Sequence, residues 1–373
     1  MLSPREAVRT LPSYHPPLAG RNGSCLRLDF NENTVGCSPH VLERLRQLSA
    51  KDLACYPERA PEEKIVADFL GIPPEDLLLT NGVDEAIHLL CEAYLEPGDE
   101  AFIVVPTYSM YRIYMMMAGA QVICVPADKD FQFPAAAVCD RITPRTRLIA
   151  VANPNNPTGS VAPLDELLQI ARSAPDAALL IDEAYFEFCG ETLLHDRCDL
   201  PNIFVARTFS KAYGLAGLRV GALVGDADQM RAVRRVSSPY NVNAVALACL
   251  PAALADQGYI HDYVAEIRVS RSRLERALAA SEICFWPSQG NFVLARVGAT
   301  QAHAAGFVEH MRRRGILVRD RSSDHGCEGC VRITLGLREH TDRLLNALNE
   351  TLNELGVGSR DTPRAREQGA PRP

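Results

Sequence analysis

The chain has 373 residues, enough for one large core and a smaller one, since single hydrophobic cores stop growing at roughly 250–300 residues. Its formal charge is −7, so there is no basic surplus to hold a polyanionic backbone, and a nucleic-acid partner is disfavoured. The first residues, Met1-Leu2-Ser3-Pro4-Arg5-Glu6, lack the charged-then-apolar layout of a secretory signal, and no apolar stretch approaches the roughly 20 residues of a membrane helix; the expectation is a soluble, cytoplasmic protein with no membrane contact that acts on small molecules.

The first 45 residues are too few to form a domain alone and are expected to pack with the C-terminal unit. Residues 46–258 read as a large α/β domain. Within it, seven apolar runs predict strands: Leu77 to Leu79, Ala101 to Val105, Gln121 to Val125, Leu148 to Ala152, Ala178 to Ile181, Ile203 to Ala206 and Gly221 to Val224. Between them lie segments of helical period, among them Asp84 to Tyr94 and Leu164 to Ser173. Strands alternating with such helices imply a mostly parallel sheet. Residues 259–355 change character: a long helical pattern from Tyr259 to Ala280, a strand from Asn291 to Arg296, a helix from Gln301 to Arg314 and a strand at Val331 to Leu335 predict a smaller α+β domain. Residues 356–373 are rich in Gly, Pro and Arg without apolar periodicity and read as a disordered tail.

Twelve cysteines are scattered through apolar segments and read as small buried thiols in a reducing compartment, not as a disulfide framework. Cys327 and Cys330 have the spacing of a metal or redox motif. A structural zinc site wants a second ligand pair, so the reading is a Gly-rich loop ahead of a strand, with no metal.

The chain holds four lysines, Lys51, Lys64, Lys129 and Lys211. Three sit among polar neighbours. Lys211 follows the strand-like run Ile203-Phe204-Val205-Ala206, and a lysine at the end of a strand in a cleft can be desolvated and its pKa lowered, as imine formation requires. Asp182 ends another apolar strand, where parallel sheets bind ligands; a carboxylate there can keep a pyridinium nitrogen protonated, or it can cap a helix. Asn156 lies in the turn Asn153-Pro154-Asn155-Asn156-Pro157-Thr158-Gly159 after a third strand, from which its amide could meet a cofactor's phenolic oxygen together with the Tyr185 hydroxyl. The glycine turn Thr80-Asn81-Gly82-Val83 opens a helix, whose exposed N–H groups and dipole suit a phosphate. Thr208, Ser210 and Arg219 would complete that site.

In this order the segments Leu28-Asp29-Phe30-Asn31-Glu32-Asn33, Tyr56-Pro57, Asn81-Gly82-Val83-Asp84-Glu85, Pro106-Thr107-Tyr108-Ser109-Met110-Tyr111, Asn155-Asn156-Pro157-Thr158-Gly159, Asp182-Glu183-Ala184-Tyr185, Ser210-Lys211 through Arg219, and Val331-Arg332-Ile333-Thr334 resemble fold-type I pyridoxal-phosphate enzymes, and within them the histidinol-phosphate aminotransferase family. The likeness covers about residues 25 to 350. It implies the aspartate-aminotransferase architecture and an enzyme that moves an amino group, most closely from histidinol phosphate to 2-oxoglutarate in histidine biosynthesis.

The resemblance also implies roles. Lys211 would carry pyridoxal 5'-phosphate covalently, Asp182 would pair with its ring nitrogen, Tyr185 and Asn156 would bind the phenolic oxygen, and Tyr108 would stack on the ring. The backbone at Gly82 and Val83, with Thr208, Ser210 and Arg219, would hold the phosphate. Tyr56 would reach the cofactor of a neighbouring subunit, making a homodimer with shared sites. Arg319 and Arg332 would meet substrate anions, with Asn156 beside them, and Tyr14 would touch the substrate. The sequence departs from the family at Thr34, where many relatives have proline, at Val83, which replaces a smaller residue, and in the loop from Asp320 to Gly329.

An aromatic amino-acid aminotransferase and a threonine-phosphate decarboxylase share these cofactor residues, so both stay open as alternatives. A ligand-sensing regulator of the same fold is disfavoured because no segment is long enough for a helix-turn-helix. A nucleotide-binding dehydrogenase is disfavoured because no G-x-G-x-x-G follows the first strand.

Overall fold

Short runs of apolar residues in a folded interior satisfy their backbone by pairing with one another, and seven of them do so in a single sheet. The computed structural model describes residues 2–9, 11, 21 and 23–355. A three-residue strand, β1 (Leu26–Leu28), precedes the sheet. The sheet is built from β2 (Leu77–Thr80), β3 (Glu100–Val105), β4 (Gln121–Pro126), β5 (Thr146–Ala152), β6 (Ala178–Asp182), β7 (Ile203–Thr208) and β8 (Gly221–Val224), in the order β2-β8-β7-β6-β5-β3-β4. Six of these strands run in one direction, and β8 is antiparallel to both of its neighbours. Every residue of β2, β6, β7 and β8 is buried. The expected strands fall where the apolar runs are, with ends extended by one or two residues.

Parallel pairing has a consequence for function. Because β3, β5, β6 and β7 point the same way, their carboxyl ends share one edge, and the register puts Ala152 beside Asp182 and Asp182 beside Ala206. Ligands of open α/β sheets bind along such an edge. The helix Val83–Tyr94 starts at the same edge and lays six buried residues against the sheet.

A second sheet combines β9 (Cys284–Trp286), β10 (Phe292–Arg296), β11 (Ile316–Asp320) and β12 (Cys330–Thr334) with β1, in the order β1-β11-β12-β10-β9. The strand β1 pairs parallel with β11, so part of the first 45 residues joins the C-terminal unit. Another part goes elsewhere. The helix Pro39–Arg46 packs on the helix Ala244–Ala255, and the Ser38 hydroxyl at its N-cap donates to Asp256 at 2.5 Å. The helices Gln257–Ala280, Gln301–Arg313 and Arg338–Leu355 back the second sheet. The tail from residue 356 and Tyr14 lie outside the described residues. No described helix is long and apolar enough to cross a membrane.

Cys327 and Cys330 are both buried in a small cluster with Phe131, Trp286 and Leu294. Among the described residues no three His, Cys, Asp or Glu side chains converge as a metal site would need. The turn between the two cysteines closes when the Cys330 N–H donates to the Cys327 carbonyl at 2.8 Å.

Next to Asp182, Glu183 ties the sheet edge to the loop beyond it. Its carboxylate accepts from Arg207 Nε at 2.8 Å, from the Thr192 hydroxyl at 2.7 Å and from the Leu193 N–H at 2.8 Å. Both charges are buried. Glu183→Ala would leave Arg207 enclosed without its partner, and we expect a loss of about 3–5 kcal/mol, read as a lower denaturation midpoint in urea.

Candidate active site

Burial decides the chemistry of the edge formed by β5, β6 and β7. A cleft of about 290 Å3 opens there, lined by Phe30, Glu32, Val83, Asp84, Tyr108, Tyr111, Asn156, Asp182, Tyr185, Thr208, Ser210, Lys211 and Arg219 among others. At its floor the Asp182 carboxylate accepts from the Tyr111 hydroxyl at 2.5 Å and from the Ala184 N–H at 3.0 Å. Desolvation pushes its pKa up to about 6, against the pull of those two hydrogen bonds. No cation forms an ion pair with it among the described residues. The Ala184 contact is the two-residue turn bond that an Asp after a strand often makes; the short helix that follows, Phe186–Cys189, has its N-cap at Tyr185, so Asp182 is not a helix cap.

Lys211 sits across the cleft, on the turn after β7. Its Nζ donates to the Phe30 carbonyl at 3.1 Å and lies 6.0 Å from the Tyr185 ring centre. Burial lowers its pKa to about 8, helped by the nearby positive charges of Arg332 and Arg219. The Tyr185 hydroxyl accepts from the Asn31 amide at 2.9 Å and keeps its own proton to donate. Burial raises its pKa.

The far end of the cleft is formed by a helix N-terminus and the Arg219 guanidinium. Gly82 stands at the N-cap of the Val83–Tyr94 helix with φ +76°, a left-handed region that favours glycine, and an added Cβ would come within 2.7 Å of the Arg219 guanidinium. That guanidinium donates to Asp84 at 3.0 Å, and Asp84 also accepts from the Tyr108 hydroxyl at 2.8 Å. Thr208 ends β7, and its hydroxyl accepts from the Ser210 N–H at 3.2 Å. The Thr80 hydroxyl is buried with no hydrogen-bond partner among the described residues.

From the second sheet, Arg332 reaches in. It donates to the Asn156 side-chain oxygen at 2.5 Å and to the Asp29 carbonyl at 2.7 Å. Burial and neighbouring arginines lower its pKa to about 10. Arg319 lies opposite Arg332 in the β11–β12 ladder, with its guanidinium 5.5 Å from the Phe30 ring centre.

A model of the aminotransferase class I and II family matches residues 24–348. The chain belongs to this family. It is 35% identical to histidinol-phosphate aminotransferase 1 of Nostoc sp. over 93% of this chain and 98% of that one. It is 38% identical to the histidinol-phosphate aminotransferase of Roseobacter denitrificans over 87% and 90%. Among solved structures it resembles the histidinol-phosphate aminotransferase from Sinorhizobium meliloti in complex with pyridoxal-5'-phosphate, with TM-score 0.84, 28% identity and coverage of 94% of this chain and 97% of that one. Aspartate aminotransferase from Thermus thermophilus with maleate, at 24% identity and TM-score 0.81 over 94% and 100%, shares the fold.

In this aminotransferase the structure brings Gly82, Val83, Tyr108, Asn156, Asp182, Tyr185, Thr208, Ser210, Lys211, Arg219 and Arg332 to one cleft or its rim. Tyr56 is not among them: it is 78% exposed and stacks on Tyr240 at 4.4 Å. Several residues of the cleft were not singled out by the sequence. Tyr111 reaches Asp182 from 71 positions away, and Asp84, Asn31 and Phe30 act through contacts that sequence spacing does not show. Each of those four stands in a segment that carries the family likeness, which is the signal that could have found it.

The geometry yields a pH prediction. Lys211 is protonated below about pH 8 and neutral above it, so its nucleophilic form appears well below the pH of an ordinary lysine. Capture of pyridoxal phosphate followed by borohydride reduction, read by mass spectrometry, should reach half its plateau near pH 8, and Lys211→Arg should abolish it.

Proposed function

We propose that this aminotransferase uses pyridoxal phosphate to move the amino group of histidinol phosphate to 2-oxoglutarate, giving imidazole acetol phosphate and glutamate. The observation that carries the reading is a buried carboxylate without a counter-cation, Asp182, facing a desolvated lysine and a glycine-capped cradle across one cleft. Those residues fit the cofactor. A protonated ring nitrogen would supply the charge Asp182 lacks, and the Thr80 hydroxyl and the helix N-terminus would gain an acceptor. Bound pyridoxal phosphate supplies an electron sink for the carbon that bears the amine.

The chain does the rest. Lys211 would hold the cofactor through its neutral amine and, when that amine is free, would move a proton as general base and acid in the 1,3-shift. Asp182 holds a proton at the ring nitrogen, with Tyr111 fixing the carboxylate's orientation. Tyr185 and Asn156 address the phenolic oxygen, and Tyr108 the ring face. The N–H groups at Gly82 and Val83, with Thr208, Ser210 and Arg219, hold the phosphate, so Asp84 must share Arg219 with it. Arg319 and Arg332 take the substrate's anion with Asn156 beside them, and Tyr14 belongs to the same substrate group. The names of the curated relatives at 35% and 38% identity support the donor.

Exposure of Tyr56 and Tyr240, with Leu53 exposed on the helix Ala50–Ala54 nearby in sequence, supports a homodimer in which Tyr56 serves the partner's cofactor. Mixing Tyr56→Phe with Lys211→Ala protomers should then restore part of the activity that each lacks. No recovery in exchanged heterodimers would count against a shared site.

The reading is tested by offering histidinol phosphate, phenylalanine, tyrosine and threonine phosphate separately, following glutamate and carbon dioxide. Histidinol phosphate should give the highest kcat/KM, with no carbon dioxide. Preference for phenylalanine, or gas from threonine phosphate, would move the chain to the aromatic or decarboxylating enzymes. Asp182→Asn should lower kcat on the order of 10²-fold or more, with the denaturation midpoint unchanged or higher because a buried charge is removed.

A further inference from the structure

Two acids open the helix Val83–Tyr94, and they bond in different directions. Glu85 turns back on the chain: its carboxylate accepts from the Asn81 N–H at 2.6 Å and from the Asn241 amide at 2.6 Å, a backward bond of the kind an acid in the first helical turn makes. Asp84 turns into the cleft and is one of its lining residues. Each of its two oxygens is taken by a different side chain. One accepts from the Tyr108 hydroxyl at 2.8 Å, the other from Arg219 Nη2 at 3.0 Å.

Those two side chains come from separate parts of the fold. Tyr108 is the N-cap of the helix Ser109–Ala118, just past β3. Its ring stands edge-on to Tyr111 with centres 5.7 Å apart, and Tyr111 in turn donates to Asp182. Arg219 lies between β7 and β8 with φ +54°, a left-handed conformation that a residue of its kind keeps only where the surroundings hold it. The Arg219 side chain is 45% exposed and that of Asp84 33%, and an ion pair this open adds little to folding. What Asp84 fixes is where an aromatic ring and a guanidinium lie relative to the helix N-terminus. Arg219 keeps its capacity for a second anion, because a guanidinium carries five N–H donors and Asp84 engages one nitrogen.

We infer that Asp84 is a positioning residue of the cofactor site: its one carboxylate holds the Tyr108 ring and the Arg219 guanidinium in the places from which they meet the ring and the phosphate of pyridoxal phosphate. This rests on the roles given to Tyr108 and Arg219 above. Asp84 acts through these two side chains, and no bond is made or broken at it.

The test titrates the cofactor-free protein with pyridoxal phosphate. Fluorescence quenching gives the Kd, and the visible circular dichroism of the bound cofactor reports how its ring is held. Asp84→Asn keeps the shape but leaves one acceptor oxygen for two donors, so it should raise the Kd about tenfold and reduce the dichroism per bound cofactor. The thermal midpoint of the cofactor-free protein should move by no more than about 3 °C. In a Tyr108→Phe background the same substitution should cost about threefold less, because one of the two hydroxyl and guanidinium partners it acts through is already gone. Losses that simply multiply would overturn the inference. So would a tighter Kd in Asp84→Asn, which would make Asp84 a competitor of the phosphate, or a lower midpoint with Kd and dichroism unchanged, which would make it a helix-end residue only. Tyr108→Ala and Arg219→Gln separate the two levels of the argument. If both shift Kd or dichroism while Asp84→Asn shifts neither, the inference alone fails; if neither shifts them, the roles of Tyr108 and Arg219 fail and the inference falls with them.

Discussion

A carboxylate held in the dry interior at the end of a central strand constrains the residues around it. Asp182 closes β6 between β5 and β7, where every neighbour in register is apolar. Two hydrogen bonds, from Tyr111 and from the Ala184 N–H, are all it receives from the described residues, and they do not offset its desolvation, since its pKa still rises to about 6. Glu183, one position on, is equally enclosed and its pKa is raised by burial as well, but it meets Arg207 along with its two other donors. Of these adjacent acids, one has a cationic partner among the described residues and the other has none.

The same burial acts with opposite sign on the lysine. Desolvation disfavours the charged form of either group, so it raises Asp182 and lowers Lys211, and the cleft places an acid with pKa near 6 against an amine with pKa near 8. The arginines deepen the second shift, because the positive charges of Arg332 and Arg219 disfavour the charged form of Lys211. Positive charge is therefore concentrated at the two ends of the cleft, Arg219 over the helix N-terminus and Arg332 behind Asn156. A ligand that is anionic at both ends and can become cationic in the middle matches that distribution.

How much of this could be read from the chain depends on how local the cause is. The seven strands of the large sheet were legible because each is a continuous apolar run, and continuous runs are what two-sided burial requires. The meeting of Asp182, Asn156, Thr208 and Lys211 at their ends was legible for the same reason, since a parallel sheet fixes where its strand ends lie. Strand β1 was not legible: Leu26-Arg27-Leu28 is three residues long, and its strand character comes from pairing with Ile316 to Val318, about 290 positions away. Nor were β9 and β11, or the helix Arg338–Leu355, read as elements. The contacts that orient the cleft side chains were hidden altogether, because Tyr111 with Asp182, Asn31 with Tyr185, and Arg332 with Asn156 join segments far apart in the chain.

Asn31 shows how those two sheets are held in one geometry. It takes a left-handed conformation, φ +54°, which asparagine tolerates better than most residues. From it the backbone N–H donates to the Thr334 hydroxyl at 3.0 Å, the same hydroxyl donates its own proton to the Asn31 side-chain oxygen at 3.0 Å, and the side-chain amide reaches Tyr185. The Asn291 amide donates to the Asn31 carbonyl at 3.1 Å. One residue thus binds β12, the entry to β10 and the tyrosine beyond β6, while the Phe30 carbonyl just before it receives Lys211. The segment from Asp29 to Asn33 is therefore the strap that sets the distance between the sheet that carries Arg332 and the one that carries Asp182, and the placement of Arg332 relative to Lys211 is only as accurate as this strap.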